Sequence, residues 1–413
     1  MSHKNSLLVI SQAFPPEKGG NASRIHDLTR FMTDEWDVTV VAPAKCYPHG
    51  EYDFTWQRHQ RENIDGVEVH RLWAWQPTDP DPSFVSRIAY YVTFAIHAFL
   101  WSAFNIRDTD VMMTSSPPLF TGFVASPFAK VLDIPWVLDI RDVWIDVSVS
   151  FGFISEGGLA ERLSKAYRKW EFGVASLVTV TTAGTVDILD DEYDITAPVA
   201  VIPNGVDVDS FKPRDKSDPD GPVLIYTGTI GHAQALEVCV EAIDNLTNPD
   251  LTFQIVGDGD LREILEQKAT DLGIEDRVEF TGFVSREQVP GMLSQATIGI
   301  APIKTDDSLR YAVPTKLYEY MACALPVIAV GEGAIEQFVD ASDAGVVAED
   351  DPEAIAAHID TLLSDQEWRQ ELGTNGRTHV VDHYDRQVIA LEFSDRLSTL
   401  IDQESTRTDQ PPA

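Results

Sequence analysis

The chain has 413 residues and carries 66 acidic against 31 basic side chains, a formal net charge of -35. That length suits two domains of ordinary size better than one core. The acidic residues are scattered through apolar-patterned segments, so the charge argues against intrinsic disorder, and it repels phosphate backbones, so no nucleic-acid partner is expected. Dispersed negative charge suits a protein that stays hydrated where salt is high and screening is short-ranged, which predicts a halophilic source. Cys46, Cys239 and Cys323 lie far apart without a CxxC pair, so neither a disulfide framework nor a zinc site is indicated and a reducing cytoplasm fits.

Met1-Ser2-His3-Lys4 runs directly into the strand-like Leu7-Leu8-Val9-Ile10, leaving no room for the charged and apolar regions of a signal peptide. From there, short apolar runs bounded by turn residues alternate with stretches of helical period, the pattern of a parallel, doubly wound α/β sheet. Strands are predicted over 6–11, 38–42, 67–72, 111–114, 135–140 and 177–181, and again over 222–227, 251–256, 278–281, 298–301 and 327–330. The repetition predicts a Rossmann-like domain over 1–203, a linker over 204–221, a second such domain over 222–384, a helix over 385–401 and a disordered tail over 402–413.

Candidate site residues follow the strands. After the first comes Phe14-Pro15-Pro16-Glu17-Lys18-Gly19-Gly20, where Gly19 and Gly20 let the backbone approach an anion, or merely turn the chain. Residues 88–106 form a helix free of formal charge that nearly reaches bilayer-spanning length. It is either a buried helix of the first domain or one exposed toward a membrane surface or a lipid-linked acceptor. Asp139, Arg141 and Asp142 then stand at the carboxyl end of a buried strand, the edge where open parallel sheets bind ligands. A carboxylate there can orient or deprotonate an acceptor hydroxyl, or else pair with the arginine to fix the loop.

In the second half, Tyr226-Thr227-Gly228-Thr229-Ile230-Gly231 repeats the strand, small-residue loop and helix order of an anion cradle. Gly257-Asp258-Gly259 lacks the third glycine of a dinucleotide fingerprint, since Arg262 stands there, which disfavours hydride transfer. The sharpest cluster is Arg310 to Ala322. Pro314 and Thr315 start a helix whose positive dipole end carries Lys316, a cation that is unfavourable there unless an anion is bound. Glu319 follows on the same face, where a carboxylate can accept hydrogen bonds from a ribose diol. Together these residues describe a nucleotide site.

With these motifs in place, the chain resembles glycosyltransferase family 4. The likeness is carried in order by the Pro-Pro-x-x-Gly-Gly loop, VIPNGVDVDSF (201–211), VEFTGFV (278–284), PTKLYEYMA (314–322) and LPVIA (325–329). TSSPPLFTG (114–122), DIRDVW and TGTIGHAQAL are similar to the branch that assembles surface polysaccharides and lipid-linked oligosaccharides. The resemblance implies a GT-B fold, two Rossmann-like domains facing a central cleft, with acceptor in the first domain and nucleotide sugar in the second. It implies a retaining hexosyltransferase with no obligatory metal or other cofactor. Glu319 then matches the ribose-binding glutamate. Lys316, Thr315 and the Gly228–Gly231 loop fall at the diphosphate, Val284 at the base, Gly19 and Gly20 at the phosphates and acceptor, and Asp142 faces the reacting sugar.

Two departures stand out. Tyr311 replaces a glutamate common in the family, and Thr229 and its uncharged neighbours replace the usual Arg and Lys pair. The diphosphate charge is then expected to be met by Lys316, Arg310 and the Gly231 N–H. The donor is expected to be a UDP-sugar. With a halophilic source, the acceptor is expected to be a dolichol-phosphate-type glycan for S-layer protein glycosylation, made at the inner face of the cell membrane. The rivals are a nucleotide-sugar 2-epimerase and a non-enzymatic sugar-nucleotide-binding scaffold, the latter favoured if Glu319 sits in a structural ion pair.

Overall fold

The computed structural model describes residues 4–79, 82–143, 154–193, 195–215 and 221–408, together with Ile145 and Val149. Trp144 of the DIRDVW segment, 216–220 of the expected linker and 409–413 of the expected tail lie outside the described residues. The chain divides into two compact units, 1–203 with 387–413, and 204–386.

In the first unit the chain order is β1 (Asn5–Ile10), α1 (Gly20–Arg30), β2 (Trp36–Pro43), β3 (His59–Ile64), β4 (Val67–Leu72), α2 (Phe84–Asn105), β5 (Val111–Ser116), α3 (Phe120–Leu132), β6 (Trp136–Ile140), α4 (Leu159–Phe172), β7 (Leu177–Val180), α5 (Ala183–Tyr193) and β8 (Val199–Val201). The sheet order is β3-β4-β2-β1-β5-β6-β7-β8, parallel except for β3. Its central strands β5 and β6 are buried along their whole length, and β1 along most of it, because helices cover both faces. The strand order reverses between β1 and β5, so the crevice at their carboxyl ends is the place for a ligand.

The second unit runs β9 (Val223–Thr227), α6 (Leu236–Asp244), β10 (Thr252–Val256), α7 (Arg262–Leu272), β11 (Val278–Gly282), α8 (Val289–Gln295), β12 (Ile298–Pro302), α9 (Thr315–Ala322), β13 (Val327–Val330), α10 (Ala334–Ser342), β14 (Gly345–Ala348), α11 (Pro352–Ser364) and α12 (Gln366–His383). Its all-parallel order, β11-β10-β9-β12-β13-β14, reverses between β9 and β12. That is the Rossmann strand order, with its ligand crevice at the ends of β9 and β12.

The last helix, α13 (Arg386–Thr408), packs on the first unit from Gln387 onward. Ile389, Ala390, Phe393 and Leu397 are buried with Trp36, Val38 and Val40, and the Trp36 indole N–H donates to Ser394 Oγ at 2.8 Å. Burying Phe393 alone stabilises this union by about 1.5–3 kcal/mol. The helix continues into the stretch for which the sequence predicts disorder, and Thr406 Oγ1 donates to the Asp402 carbonyl there at 2.7 Å. Its apolar spacing stops at Ile401, but intrahelical bonding does not need an apolar stripe.

Residues 204–211, assigned by composition to a linker, belong instead to the second unit. Val206 bridges Asp385, and Val206, Val208 and Phe211 are buried in its core. Three strands escape the sequence pattern. β3 is a polar, exposed edge paired through the Asp65-Gly66 turn, β8 has three residues, and β14 begins with a glycine. β3 shows no apolar run, and those of β8 and β14 are too short to signal a strand by themselves.

Helix α2 is neither fully buried nor fully free. Tyr90, Phe94, Ala98 and Ser102 form a buried stripe at four-residue spacing, while Phe84, Val85, Ile96, Leu100 and Phe104 are exposed. Among the described residues it is the one helix long and apolar enough to cross a membrane, and only 17% of its apolar window is buried.

Candidate nucleotide-sugar site

In the second unit, β9 ends at Thr227 and the chain turns through Gly228, whose φ of 132° and crowded surroundings explain the glycine. A Cβ there would lie 3.4 Å from Lys316 Nζ. The neighbouring Gly257 is equally constrained, since a Cβ on it would meet the Gly228 carbonyl at 1.9 Å. The Gly257-Asp258-Gly259 turn thus braces the Gly228 loop, which accounts for its glycines without a dinucleotide.

Lys316 stands in the first turn of α9, which has no side-chain cap and no acidic residue in that turn. Its Nζ lies 3.8 Å from the centroid of the Tyr226 ring, and among the described residues no carboxylate pairs with it. Burial pulls its ammonium down to about 7, against the opposing pull of the Glu319 carboxylate. A buried cation at the positive end of a helix is unfavourable by itself, and the Tyr226 ring face offsets only part of that cost. A bound anion would relieve both the burial of the charge and its clash with the helix dipole. Tyr320 locks the helix in place, its hydroxyl accepting the Thr227 backbone N–H at 2.7 Å.

Glu319 lies three residues on, with Arg286 Nη1 3.4 Å from its Oε1. That contact is beyond ordinary N–H···O length, and it joins an Arg286 side chain that is 41% exposed to a Glu319 side chain that is 13% exposed, so it is a long, partly buried ion pair. Arg286 also lies over the Phe211 ring, 5.1 Å to the centroid. Val284 follows β11 and packs, half-buried, against the same core as Phe211 and Tyr318. Thr315 opens α9.

Two expected anion ligands are otherwise engaged. Arg310 is paired with Asp307 at 3.2 Å and with Glu332 at 3.1 Å on the surface. The Gly231 N–H donates to Gln234 Oε1 at 3.2 Å, because the glutamine side chain folds back over the turn.

In the first unit, Gly19 (φ 119°) precedes α1, and Gly19 and Gly20 are both exposed on the loop after β1. Glu17 organises that loop from inside. Its buried carboxylate accepts the N–H groups of Phe14, Cys46 and Tyr47 at 3.3, 2.9 and 3.1 Å, and burial raises its pKa against the pull of Arg71.

Asp139 corrects an expectation. It lies inside β6, fully buried, and is consumed by Arg24 Nη2 at 3.1 Å and Thr179 Oγ1 at 2.8 Å. Arg24 also donates to the Pro203 and Ile202 carbonyls, so the pair ties β6 to the end of the first unit. The ion pair foreseen as the alternative exists, but its cation is Arg24. Arg141 instead donates to Ser115 Oγ at 3.0 Å and to the Pro117 carbonyl at 3.1 Å, bracing the loop after β5. Asp142 is exposed just beyond β6.

Sequence reasoning passed over Tyr226, Tyr320, Arg286 and Glu17 as functional supports. The spacing of four between Lys316 and Tyr320 places both on one helical face, a readable signal; the Arg286 contact crosses between elements and leaves none. Among the described residues no group of three or more His, Cys, Asp or Glu side chains is arranged to hold a metal ion.

Two Rossmann-like units, each with its loops at a reversal of strand order, and an unpaired lysine at one of them define a nucleotide-sugar enzyme of the GT-B fold. Residues 19–205 match the glycosyl transferase 4-like domain and residues 207–379 match glycosyl transferases group 1. The two matches together span most of the chain, which belongs to the glycosyltransferases that join these domains.

Among relatives, it is 27% identical over 413 residues to the GDP-mannose-dependent alpha-(1-6)-phosphatidylinositol monomannoside mannosyltransferase of Mycolicibacterium smegmatis, covering 95% of this chain and 98% of that protein. Among solved structures, it is similar to sucrose-phosphate synthase from Thermosynechococcus elongatus, with a TM-score of 0.78, 18% identity and coverage of 97% of this chain and all (100%) of the other. It is also similar to Anabaena Alr3699/HepE in complex with UDP and glucose, with a TM-score of 0.70, 16% identity and coverage of 96% and 100%. At those identities the structural likeness shows the fold.

Proposed function

We propose that this glycosyltransferase moves a hexose from a nucleotide sugar, with retention of configuration, to a lipid-linked glycan acceptor during cell-surface glycan assembly. The observation that carries the reading is Lys316, an ammonium in ion-pair contact with no carboxylate among the described residues, beside Gly228 at the open end of α9. In this reading Lys316 and the first N–H groups of α9 hold the diphosphate, and Glu319 accepts from the ribose hydroxyls in place of Arg286. The bond from the anomeric carbon to the diphosphate oxygen breaks first, and stabilising the departing diphosphate is the main catalytic task. The acceptor oxygen then bonds to the same face of that carbon and its proton passes to a diphosphate oxygen. Asp142 orients the acceptor, and Gly19 and Gly20 bring backbone N–H groups to the leaving phosphates.

The unburied apolar face of α2 supports a lipid-linked acceptor at a membrane surface, as does the phosphatidylinositol mannoside named for the mycolicibacterial relative. A net charge of -35 supports a halophilic cytoplasm, where the acceptor is a dolichol-phosphate-type glycan for S-layer proteins. Glu319 does sit in an ion pair with Arg286, the condition that favours a scaffold, but its 3.4 Å length, beyond an ordinary hydrogen bond, keeps transfer the better-supported reading. The exposed α2 face favours it over epimerisation of a soluble sugar nucleotide.

The test is thermal stability of the protein in molar salt with UDP-sugars, GDP-mannose, dTDP-sugars and ADP-sugars, with Glu319→Ala beside the wild type. One donor is expected to raise the melting temperature of the wild type and not of the variant. No shift with any donor would overturn the reading. Loss of folding on removal of salt is the expected outcome for the halophilic assignment, and full stability at low salt would overturn that part.

A further inference from the structure

Beyond the nucleotide site, the ligand edge of the first unit carries a group of aromatic rings that the proposed chemistry leaves unused. β3 and β4 are antiparallel, with His59 opposite Leu72, so the segment before β3 and the segment after β4 emerge together at the carboxyl edge of the sheet. They bring Phe54 and Trp56 against Trp73 and Trp75. The Trp56 and Trp73 rings are stacked, with centroids 5.8 Å apart and an interplanar angle of 8°. Phe54 meets Trp56 at 4.9 Å and Trp75 at 5.8 Å, both edge to face.

Trp75 is anchored from behind, its indole N–H donating to Ser86 Oγ at 3.0 Å and its backbone N–H to Thr93 Oγ1 at 2.8 Å. Yet Trp56 remains 74% exposed and Trp75 43% exposed. A stacked indole that shows one face to solvent sacrifices apolar burial and is already fixed in orientation, which is the arrangement of a binding plate.

Polar residues alternate in sequence with Phe54 and Trp56. Tyr52, Asp53, Thr55, Gln57, Gln60 and Gln76 line a cavity of ≈ 190 Å³. That is smaller than the ~300 Å³ at which pockets for drug-sized ligands begin, and of a size for a single sugar ring. Among the described residues Asp53 and Gln60 have no recorded side-chain partner, so a carboxylate and an amide are free to bond hydroxyl groups. The cavity borders the Gly19–Gly20 loop. Tyr52 Oη donates to the Pro16 carbonyl at 3.4 Å, and Lys18 pairs with Glu51 at 2.8 Å.

We infer that Trp56, Trp75 and the Asp53–Gln60 cavity form a carbohydrate subsite that grips a sugar of the acceptor beyond the one receiving the new residue, so that the acceptor is an oligosaccharide. This rests on the reading of the first unit as the acceptor-binding half. A flat aromatic plate takes the C–H face of a pyranose, and the cavity's acceptors and donors take hydroxyls of a neighbouring ring. Lys45 and Arg71 also line the cavity, but both are paired with Glu62, which leaves the Asp53 carboxylate to make an anionic membrane surface a poor occupant.

The test titrates the full chain in molar salt with mannobiose, cellobiose and chitobiose, following tryptophan emission, and in parallel with vesicles of phosphatidylglycerol. At least one disaccharide is expected to change the emission of the wild type. Trp56→Ala is expected to bind it roughly tenfold more weakly, about one decade per 1.4 kcal/mol, and Trp56→Phe to recover most of the loss. No response to any disaccharide, equal binding by Trp56→Ala, or a response to vesicles alone each overturns the subsite. The donor-induced melting shift is measured on the same samples and depends on Lys316 and Glu319. Its failure tells against the proposed transfer, and a failed saccharide response beside an intact donor shift tells against the subsite only.

Discussion

Asp139 and Lys316 look alike in the sequence, each a charged residue at the carboxyl edge of a parallel sheet, and the fold gives them opposite surroundings. Asp139 is enclosed with its counter-ion Arg24 and the Thr179 hydroxyl. Lys316 is set over the Tyr226 ring, and among the described residues no carboxylate is in ion-pair contact with it, Glu319 acting only at longer range. A paired buried charge holds a structure together, whereas an unpaired one marks where a ligand completes it. Position at the ligand edge is therefore not enough to assign a role; the partner decides.

The largest effect expected from this contrast is on stability. Asp139→Ala leaves the Arg24 guanidinium buried without its carboxylate, and removing one partner of such a pair costs about 3–5 kcal/mol. Denaturant unfolding of the variant should show the loss in the first unit, with donor binding retained in whatever fraction stays folded. A variant as stable as the wild type would remove the distinction drawn between the two residues.

Lys316→Ala is expected to do the reverse. The unliganded protein should melt no lower than wild type, because the variant removes a desolvated cation. Donor affinity should fall by about 10- to 100-fold, the ~1.5–3 kcal/mol of a hydrogen bond to a charged group. The pH dependence has a definite sign. With Lys316 held near 7 in the folded chain and 10.5 as its ordinary value, the unfolded chain binds the extra proton between them, so stability rises with pH across that window. A bound diphosphate restores the charged form, so donor binding takes up a proton above pH 7 and affinity falls as pH rises. Calorimetry in buffers of different ionisation enthalpy reads that proton directly, and its persistence in Lys316→Ala would exclude this lysine as the source.

How far the sequence reveals this difference can be traced residue by residue. The buried parallel strands are legible because each is an apolar run between turn residues, and the polar edge β3 is not because its side chains face solvent on both sides. Lys316 and Glu319 are legible as candidates because a cation at a helix start is a local contradiction. Arg24 is hidden, since its partner lies on β6, 115 residues away, and no spacing rule connects them. The use of the Gly231 N–H by Gln234, and of Arg310 by Asp307 and Glu332, is likewise decided by side-chain packing that composition does not encode.

Glu319→Ala should have a smaller effect than Lys316→Ala. Its loss removes hydrogen bonds from the ribose and the contact to Arg286, with a cost of about 1–2 kcal/mol in donor affinity, or roughly 5- to 30-fold. Glu319→Gln, which keeps an acceptor oxygen, should recover part of it. Titration calorimetry with the donor identified by the melting screen separates the two variants, and identical losses would mean that the glutamate's charge, and not its hydrogen bonding, is what matters.

The smallest effect belongs to Arg310, which separates a charge at the site's border from one inside it. Its guanidinium is 54% exposed and already holds Asp307 and Glu332. Surface pairs of this kind contribute about 0–1 kcal/mol, so Arg310→Ala should leave the melting temperature nearly unchanged. Donor affinity should also change less than about twofold, because reaching a diphosphate would require the arginine to leave two carboxylates for one ligand. A tenfold loss of donor affinity in Arg310→Ala would show that donor binding breaks those surface pairs. Lys316 would then share the diphosphate with a residue that the unliganded fold holds elsewhere, and the rule that an unpaired charge marks the site would need to include paired charges that a ligand can recruit.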